Sequence, residues 1–169
     1  MLIRPADQKD GAQLLALRNH YIENSFAVFD ENPLNVEMIA NWIGSFDHST
    51  PRRLLIAEQG GVVIGYASSQ RYRDHQAFNQ TIETSIYTAP GRAKSGVGSA
   101  LYRELFASLA RCRLHRAVVG IALPNEESIR FHLRFGFTKV GVFDEYAFKN
   151  GKFISSVWMQ KTLLGPSEV

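Results

Sequence analysis

Between residues 81 and 112 a strand, a glycine loop and an amphipathic helix follow one another directly, and few folds accommodate that order. Thr81 to Thr88 alternates as a strand does, Pro90-Gly91 breaks it, and after Gly96-Val97-Gly98 the residues Val97, Leu101, Leu105, Leu109 and Cys112 recur on one helical face. The first amides of a helix have no intrahelical acceptor, and glycines let a ligand approach them. This junction therefore either holds phosphate oxygens, with a diphosphate the natural ligand, or only turns the chain from strand to helix. Spacing excludes two common uses of such glycines. A dinucleotide fingerprint needs a small residue where Leu101 stands, and the strand Ala117 to Ala122 ends without an acidic residue for a ribose. A P-loop needs Gly-Lys-Ser/Thr, whereas Gly98 is followed by Ser99-Ala100. What remains is a pyrophosphate site for a cofactor other than NAD or ATP.

The flanking sequence completes an alternating architecture. Ile3-Arg4-Pro5 reads as a short strand, and Asp7 caps a helix through Leu14, Leu17 and Tyr21. Asn35 opens a second helix with Val36, Ile39, Ala40 and Ile43 on one face, and the stretch Phe26 to Pro33 between the two has no period and reads as a loop. Leu54 to Glu58 and Val62 to Ser69 flank Gln59-Gly60-Gly61 as a β-hairpin. The apolar run Ala117 to Ala122 suits a buried strand. Pro124-Asn125 opens a short helix that stops at Gly136, and Phe137 to Phe143 and Phe153 to Met159 close the chain as strands. The order β-α-α-β-β-β-α-β-α-β-β predicts an α+β, mixed α/β fold in layers.

A length of 169 residues with 45% hydrophobic content suits one core, hence one domain over 1–169. The net charge of +3 suits an anionic ligand, but the basic residues are scattered and form no run of the kind that binds nucleic acid. No apolar run reaches the roughly 18 residues of a membrane span, and MLIRPADQKD lacks an apolar signal core, so a cytoplasmic protein is expected. Cys112 is the sole cysteine, so no intramolecular disulfide forms.

Four stretches carry a resemblance: Gly65-Tyr66-Ala67-Ser68, Thr81-Ile82-Glu83-Thr84-Ser85-Ile86-Tyr87, Leu123-Pro124-Asn125 and Ser128-Ile129-Arg130-Phe131-His132. With the glycine loop, they resemble in order the GNAT superfamily of acetyltransferases, and within it the phosphinothricin and methionine sulfoximine acetyltransferase branch. The resemblance implies a three-layer α/β/α fold around a mostly antiparallel mixed sheet. It implies acetyl-CoA as co-substrate without a metal, and a homodimer. It assigns the coenzyme to Ile86, Tyr87, Thr88, Lys94, Ser95, Gly96, Val97, Gly98, Ser99 and Asn125. The family's loop begins with Gln or Arg where this chain has Ala93; Arg92 and Lys94 flank it, and a backbone cradle needs no side chain beyond the glycines.

Alternation along Thr81 to Thr88 places Glu83, Ser85 and Tyr87 on one face and Ile82, Thr84 and Ile86 on the other. Glu83 is thus either an ordinary strand carboxylate or a group lining a cleft. The resemblance makes it the general base that frees an amine from its ammonium proton. It also points to a backbone amide near Ile86 to Thr88 as the donor to the developing oxyanion. His132 stands seven residues after Asn125, where related enzymes often place a proton-donating Tyr; it is either that acid or a pocket wall. Asn125 either contacts the coenzyme, caps the helix that follows, or does both. The resembling family's substrate loop matches Arg71-Tyr72-Arg73-Asp74-His75, so Arg73, Asp74 and His75, with Glu83, Thr84 and Ser85, are the expected substrate contacts. The expected reaction is acetyl transfer to the primary amine of a small zwitterionic or anionic amino-acid-like substrate. Protein N-termini, polyamines and a non-catalytic coenzyme-binding module are the alternatives; a module has no use for Glu83, and Arg71, Arg73 and His75 repel a polycation.

Overall fold

Alternating apolar residues give the central sheet two hydrophobic faces, and helices cover both. The computed structural model describes residues 1–92 and 95–163. Its elements are β1 (Leu2–Pro5), α1 (Gly11–Asn24), α2 (Val36–Gly44), β2 (Arg53–Gln59), β3 (Val62–Arg71), β4 (Thr81–Thr88), α3 (Val97–Leu109), β5 (Arg116–Ala122), α4 (Glu126–Arg134), β6 (Thr138–Lys149) and β7 (Lys152–Thr162). The seven strands run in the order β1-β2-β3-β4-β5-β7-β6, and every neighbouring pair is antiparallel except β4 with β5. This is the expected mixed, mostly antiparallel sheet in three layers.

On β2 the alternation is direct. Leu54 and Ile56 join Leu14 and Leu17 of α1 and Ile39 and Ile43 of α2, while Leu55 and Ala57 join Val97, Leu101, Leu105 and Leu109 of α3. Each of these Leu, Ile and Val side chains contributes about 1.5–3 kcal/mol on leaving water. Gly65 lets α3 approach β3: a Cβ there would lie 2.9 Å from the Tyr87 carbonyl and 3.2 Å from Val97. The β2–β3 turn uses Gly60 and Gly61 at φ of 59° and 78°, as a two-residue hairpin requires.

Several elements depart from expectation. Asp7 caps a single 3-10 turn (Gln8–Asp10) rather than α1, because Asp10 completes a reciprocal cap and then accepts the fork of Arg4 at 2.7 and 2.8 Å. Val36 is 74% exposed, since the first turn of α2 overhangs the sheet and the half-buried Trp42 fills the inner face instead. Cys112 lies in the turn after α3, which ends at Leu109. β5 is not buried throughout, for Gly120 is exposed where the sheet opens. β6 extends past Phe143 to Lys149: Asp144, Glu145 and Tyr146 bulge out of register, and pairing resumes at Ala147. Asn150 and Gly151, at φ of 48° and 78°, then form a tight hairpin into β7.

That hairpin carries Lys149, which is fully buried and donates to the carbonyls of Ile22, Ser25 and Val28 at 2.8, 2.9 and 2.7 Å. Its three ammonium protons hold the end of α1 and the segment after it against the sheet. Replacing Lys149 by Met keeps the stem and strands three carbonyls. Hydrogen bonds from charged donors are worth about 1.5–3 kcal/mol each, so urea titration is expected to show a loss of about 3 kcal/mol or more, with faster amide exchange concentrated in residues 25–30. A loss under about 1 kcal/mol would mean the clamp is idle.

Candidate active site

β4 and β5 share only three rungs, Thr81 with Arg116, Ile82 with Ala117 and Glu83 with Val118. Each strand continues while fully paired on its other side, β4 with β3 and β5 with β7, so beyond Glu83 the two half-sheets part. The gap is the floor of a cleft of about 690 Å³ bounded by Thr84 to Thr88, Val119 to Ala122, the start of α3 and the inner face of α4. Hydrogen bonding within an antiparallel pair alternates along the strand. The Ala89 amide donates to the Ile64 carbonyl on β3, so the amides of Ile86 and Thr88 point the other way, into the gap, and that of Tyr87 points to β3. The Thr88 carbonyl accepts from the Tyr21 hydroxyl at 2.7 Å across the same opening.

The glycine loop delivers a helix end to this gap. Gly96 sits at φ 85° as N-cap of α3, a left-handed conformation in which glycine is unstrained. The first helical bond runs from the Ala100 amide to the Gly96 carbonyl, leaving the amides of Val97, Gly98 and Ser99 without intrahelical acceptors. These groups suit phosphate oxygens, and Arg92 and Arg134 stand in the same lining. A Cβ on Gly98 would meet Ile86 and Phe131 at 3.5 Å, so a larger residue narrows the throat between β4 and α4 instead of displacing an anion from the helix end. The Val97 side chain is in the core, Ser95 is not part of the lining, and Lys94 lies outside the described residues. The gap, the free amides and the added cations fit an extended ligand with a polyphosphate end.

Glu83 lines the cleft, half-buried, and burial raises its carboxyl pKa above the usual 4.5. Ser85 and Tyr87 follow on its face as alternation predicts, and burial pushes the Tyr87 hydroxyl up to about 12. Thr84 borders the cleft, but its side chain turns into the core and its hydroxyl bonds Tyr102 at 3.0 Å, so only its main chain can meet a ligand. His132 is 2% exposed. Its Nδ1–H donates to the Ser128 carbonyl at 2.8 Å, which makes Nε2 an acceptor for the Tyr102 hydroxyl at 2.9 Å. Burial lowers its pKa to about 4, so the ring is neutral at pH 7 and its single ring proton is committed. Asn125 caps α4 by accepting from the Ser128 amide at 3.1 Å and also borders the cleft.

Arg73, Asp74 and His75 are exposed and absent from the cleft lining; Arg73 lies over the ring of Tyr72 at 5.1 Å, and Tyr72 in turn touches Trp158. Trp158 is a wall residue that periodicity could not flag, because its place depends on Gly120 opposite, where a Cβ would stand 3.0 Å from the indole. Ala27, Val28 and Phe29 form the facing wall, held by Lys149 and by the Tyr87 hydroxyl bonding the Ala27 carbonyl at 3.0 Å. Among the described residues no three His, Cys, Asp or Glu side chains gather as a metal site, and no helix is long and apolar enough to cross a membrane.

A family model for the acetyltransferase (GNAT) domain matches residues 3–158. A phosphinothricin N-acetyltransferase of Streptomyces coelicolor is 39% identical, with 95% of each chain covered. An L-methionine sulfoximine/L-methionine sulfone acetyltransferase of Salmonella typhimurium is 31% identical over 96% of this chain and 95% of its own. The crystal structure of a phosphinothricin acetyltransferase from Sinorhizobium meliloti in complex with acetyl-CoA superposes with a TM-score of 0.90 at 25% identity, covering 99% of this chain and 93% of that one. Parted parallel strands, a glycine-capped helix end and a family match over nearly the whole length have one reading: this chain belongs to the GNAT acetyltransferases and is an acetyl-CoA-dependent N-acetyltransferase.

Proposed function

We propose that Glu83 is the general base of an enzyme acting on the primary amine of a small amino-acid-like substrate of the phosphinothricin or methionine sulfoximine and sulfone type. The observation that carries this reading is a half-buried carboxylate with a raised pKa at the point where the strands part, on the same strand as the inward-pointing amide of Ile86. The relatives' own substrates supply its chemical class.

Acetyl-CoA supplies the thioester carbonyl carbon that the amine attacks, and CoA leaves as the thiol. The residues of this chain do the rest. Glu83 accepts a proton from the substrate ammonium, directly or through one water, and exposes the nitrogen lone pair. The Ile86 amide, fixed in the strand, donates to the oxygen on which charge develops, at no reorganisation cost. The amides of Val97, Gly98 and Ser99 would hold the phosphates, and the free edge of β4 would offer its main-chain groups to the amide-bearing arm of the coenzyme. As the C–S bond breaks, the second proton of the attacking nitrogen passes to the sulfur. For His132, neutral and bonded at both nitrogens, these contacts favour a wall over an acid. Arg73, Asp74 and His75 form an outer rim that the substrate meets on entry.

The chain is proposed to work as one domain in the cytoplasm and as a homodimer. Edge strand β6 leaves Val140, Val142, Phe143 and Phe148 more than half exposed, with Phe153 opposite Phe148 on β7. Light scattering after size exclusion is expected to give twice the 19.0 kDa chain mass; a single-chain mass at micromolar concentration would refute the dimer.

Glu83→Gln is expected to lower kcat by about 10²- to 10⁴-fold while acetyl-CoA affinity holds. A protonated base cannot accept, so wild-type kcat/KM should fall as pH drops through the Glu83 pKa, which burial places above 4.5, and the variant should lack that limb. An acid limb that persists in the variant belongs to another group. Gly98→Val, narrowing the throat between Ile86 and Phe131, should weaken acetyl-CoA binding at least tenfold in calorimetry with the fold intact. Unchanged binding would remove the throat from the coenzyme path.

A further inference from the structure

Cross-strand pairs on the α1–α2 face of the sheet stack Glu83 beside Gln70, Ser85 beside Ser68 and Tyr87 beside Tyr66. Behind this row lies a second cavity of about 290 Å³ that shares Val28, Ser85 and Tyr87 with the main cleft and so adjoins it. Its floor offers the polar groups of Ser68, Gln70 and Ser85, and its walls are the rings of Trp42, Tyr66 and Tyr87. Residues two apart on a strand are separated by about 7 Å, so Ser85 marks the start of the side cavity within one small amino acid's length of Glu83.

Among the described residues, the one cation in this lining is Arg18 of α1. Its side chain is only 17% exposed, the guanidinium lies 4.3 Å over the Trp42 ring, and Nε is buried without a hydrogen-bond partner. Its acidic partner, Asp30, meets one Nη at the long distance of 3.8 Å and is half exposed, and the Tyr66 hydroxyl also faces the guanidinium, so among these groups Nε is the donor left without a partner. A half-buried guanidinium whose ion pair is long and half exposed binds an incoming carboxylate or phosphinate more strongly than a fully exposed one would. Resting on the proposed amine acetylation, we propose that this side cavity is the subsite for the anionic group of the substrate and that Arg18 anchors it. The amine then reaches Glu83 while the anion reaches Arg18, and the stacking on Trp42 holds the fork in place. The exposed Arg73 and His75 border neither cavity.

Steady-state kinetics at saturating acetyl-CoA would compare wild type, Arg18→Gln and Arg18→Lys on L-methionine sulfone and on its carboxamide, which keeps the amine and loses the anion. Arg18→Gln is expected to raise KM for the acid at least tenfold, to leave KM for the carboxamide within twofold, and to leave acetyl-CoA affinity unchanged. Arg18→Lys, which keeps charge and loses the fork, should fall between the two and gives the same reading should the Gln variant not fold. Equal effects on acid and carboxamide, or none on either, would overturn the subsite while leaving the acetyltransferase reaction intact. If wild type acetylates neither compound, the proposed substrate class fails by that result. The subsite is then decided by calorimetry of L-methionine sulfone on CoA-loaded protein: binding that Arg18→Gln abolishes supports it, and binding that is unchanged, or absent in wild type, overturns it.

Discussion

The parallel pairing of β4 with β5 stops after Glu83 and Val118, and the cleft exists because of that stop. Antiparallel neighbours can be joined by a hairpin, but a parallel pair needs a crossover, and here the crossover is α3. The helix must return from the carboxyl end of β4 to the amino end of β5, so its own N-terminus is left at the place where the strands separate. One topological step therefore supplies both halves of the proposed coenzyme site, the unpaired strand edge and the free helical amides. It does so at the carboxyl ends of parallel strands, where open α/β sheets generally bind ligands. Gly65 and Gly120 make the arrangement possible, the first by letting α3 settle onto β3 and the second by giving Trp158 room at the opposite lip.

Burial does different electrical work at the titratable groups around the opening. It raises the carboxyl of Glu83, the proposed base, and it lowers His132 to about 4, which keeps that ring uncharged beside the core. Lys149 remains paired with three carbonyls because no acidic side chain is needed to satisfy three ammonium protons. Its position far from the chemistry in sequence, yet behind the wall formed by Ala27 to Phe29, makes the shape of the cleft depend on the last hairpin of the chain.

Much of this was open to a reader of residue types alone. The parity that sets Glu83, Ser85 and Tyr87 against Ile82, Thr84 and Ile86 holds, the face of α3 through Leu109 holds, and Asn125 caps α4. Local rules failed where a tertiary choice intervened. Periodicity counts Val36 as inward, but the first turn of α2 leaves it exposed and Trp42 packs against the core instead. Asn150-Gly151 is a strong hairpin signal, yet the bulge at Asp144 to Tyr146 breaks the alternation before it, so the second half of β6 is hard to recognise. The splay of β4 from β5 has no signature in either strand, because it is a property of how many rungs the two share. Arg18, a lone charge on a helix, reads as surface until Trp42 is seen beneath it.

The two ligands are therefore met by different parts of the chain. On the proposed assignment the coenzyme faces main-chain groups, the amides of Val97 to Ser99 and of Ile86, and main chain is indifferent to most substitutions. Ala93, standing where related loops carry Gln or Arg, is consistent with that indifference, since a cradle of N–H groups loses little when one flanking side chain is shortened. The proposed amine side is built the other way, from side chains on α1, α2, β3 and β4, among them Arg18, Trp42, Gln70 and Ser85. A change at Arg18, Trp42 or Gln70, which line the side cavity and not the main cleft, alters charge, volume or hydrogen-bond pattern there directly. On this division, a chain that keeps the splay and the glycine loop keeps the reaction, while the amine it accepts is set by a few residues on one face of the sheet.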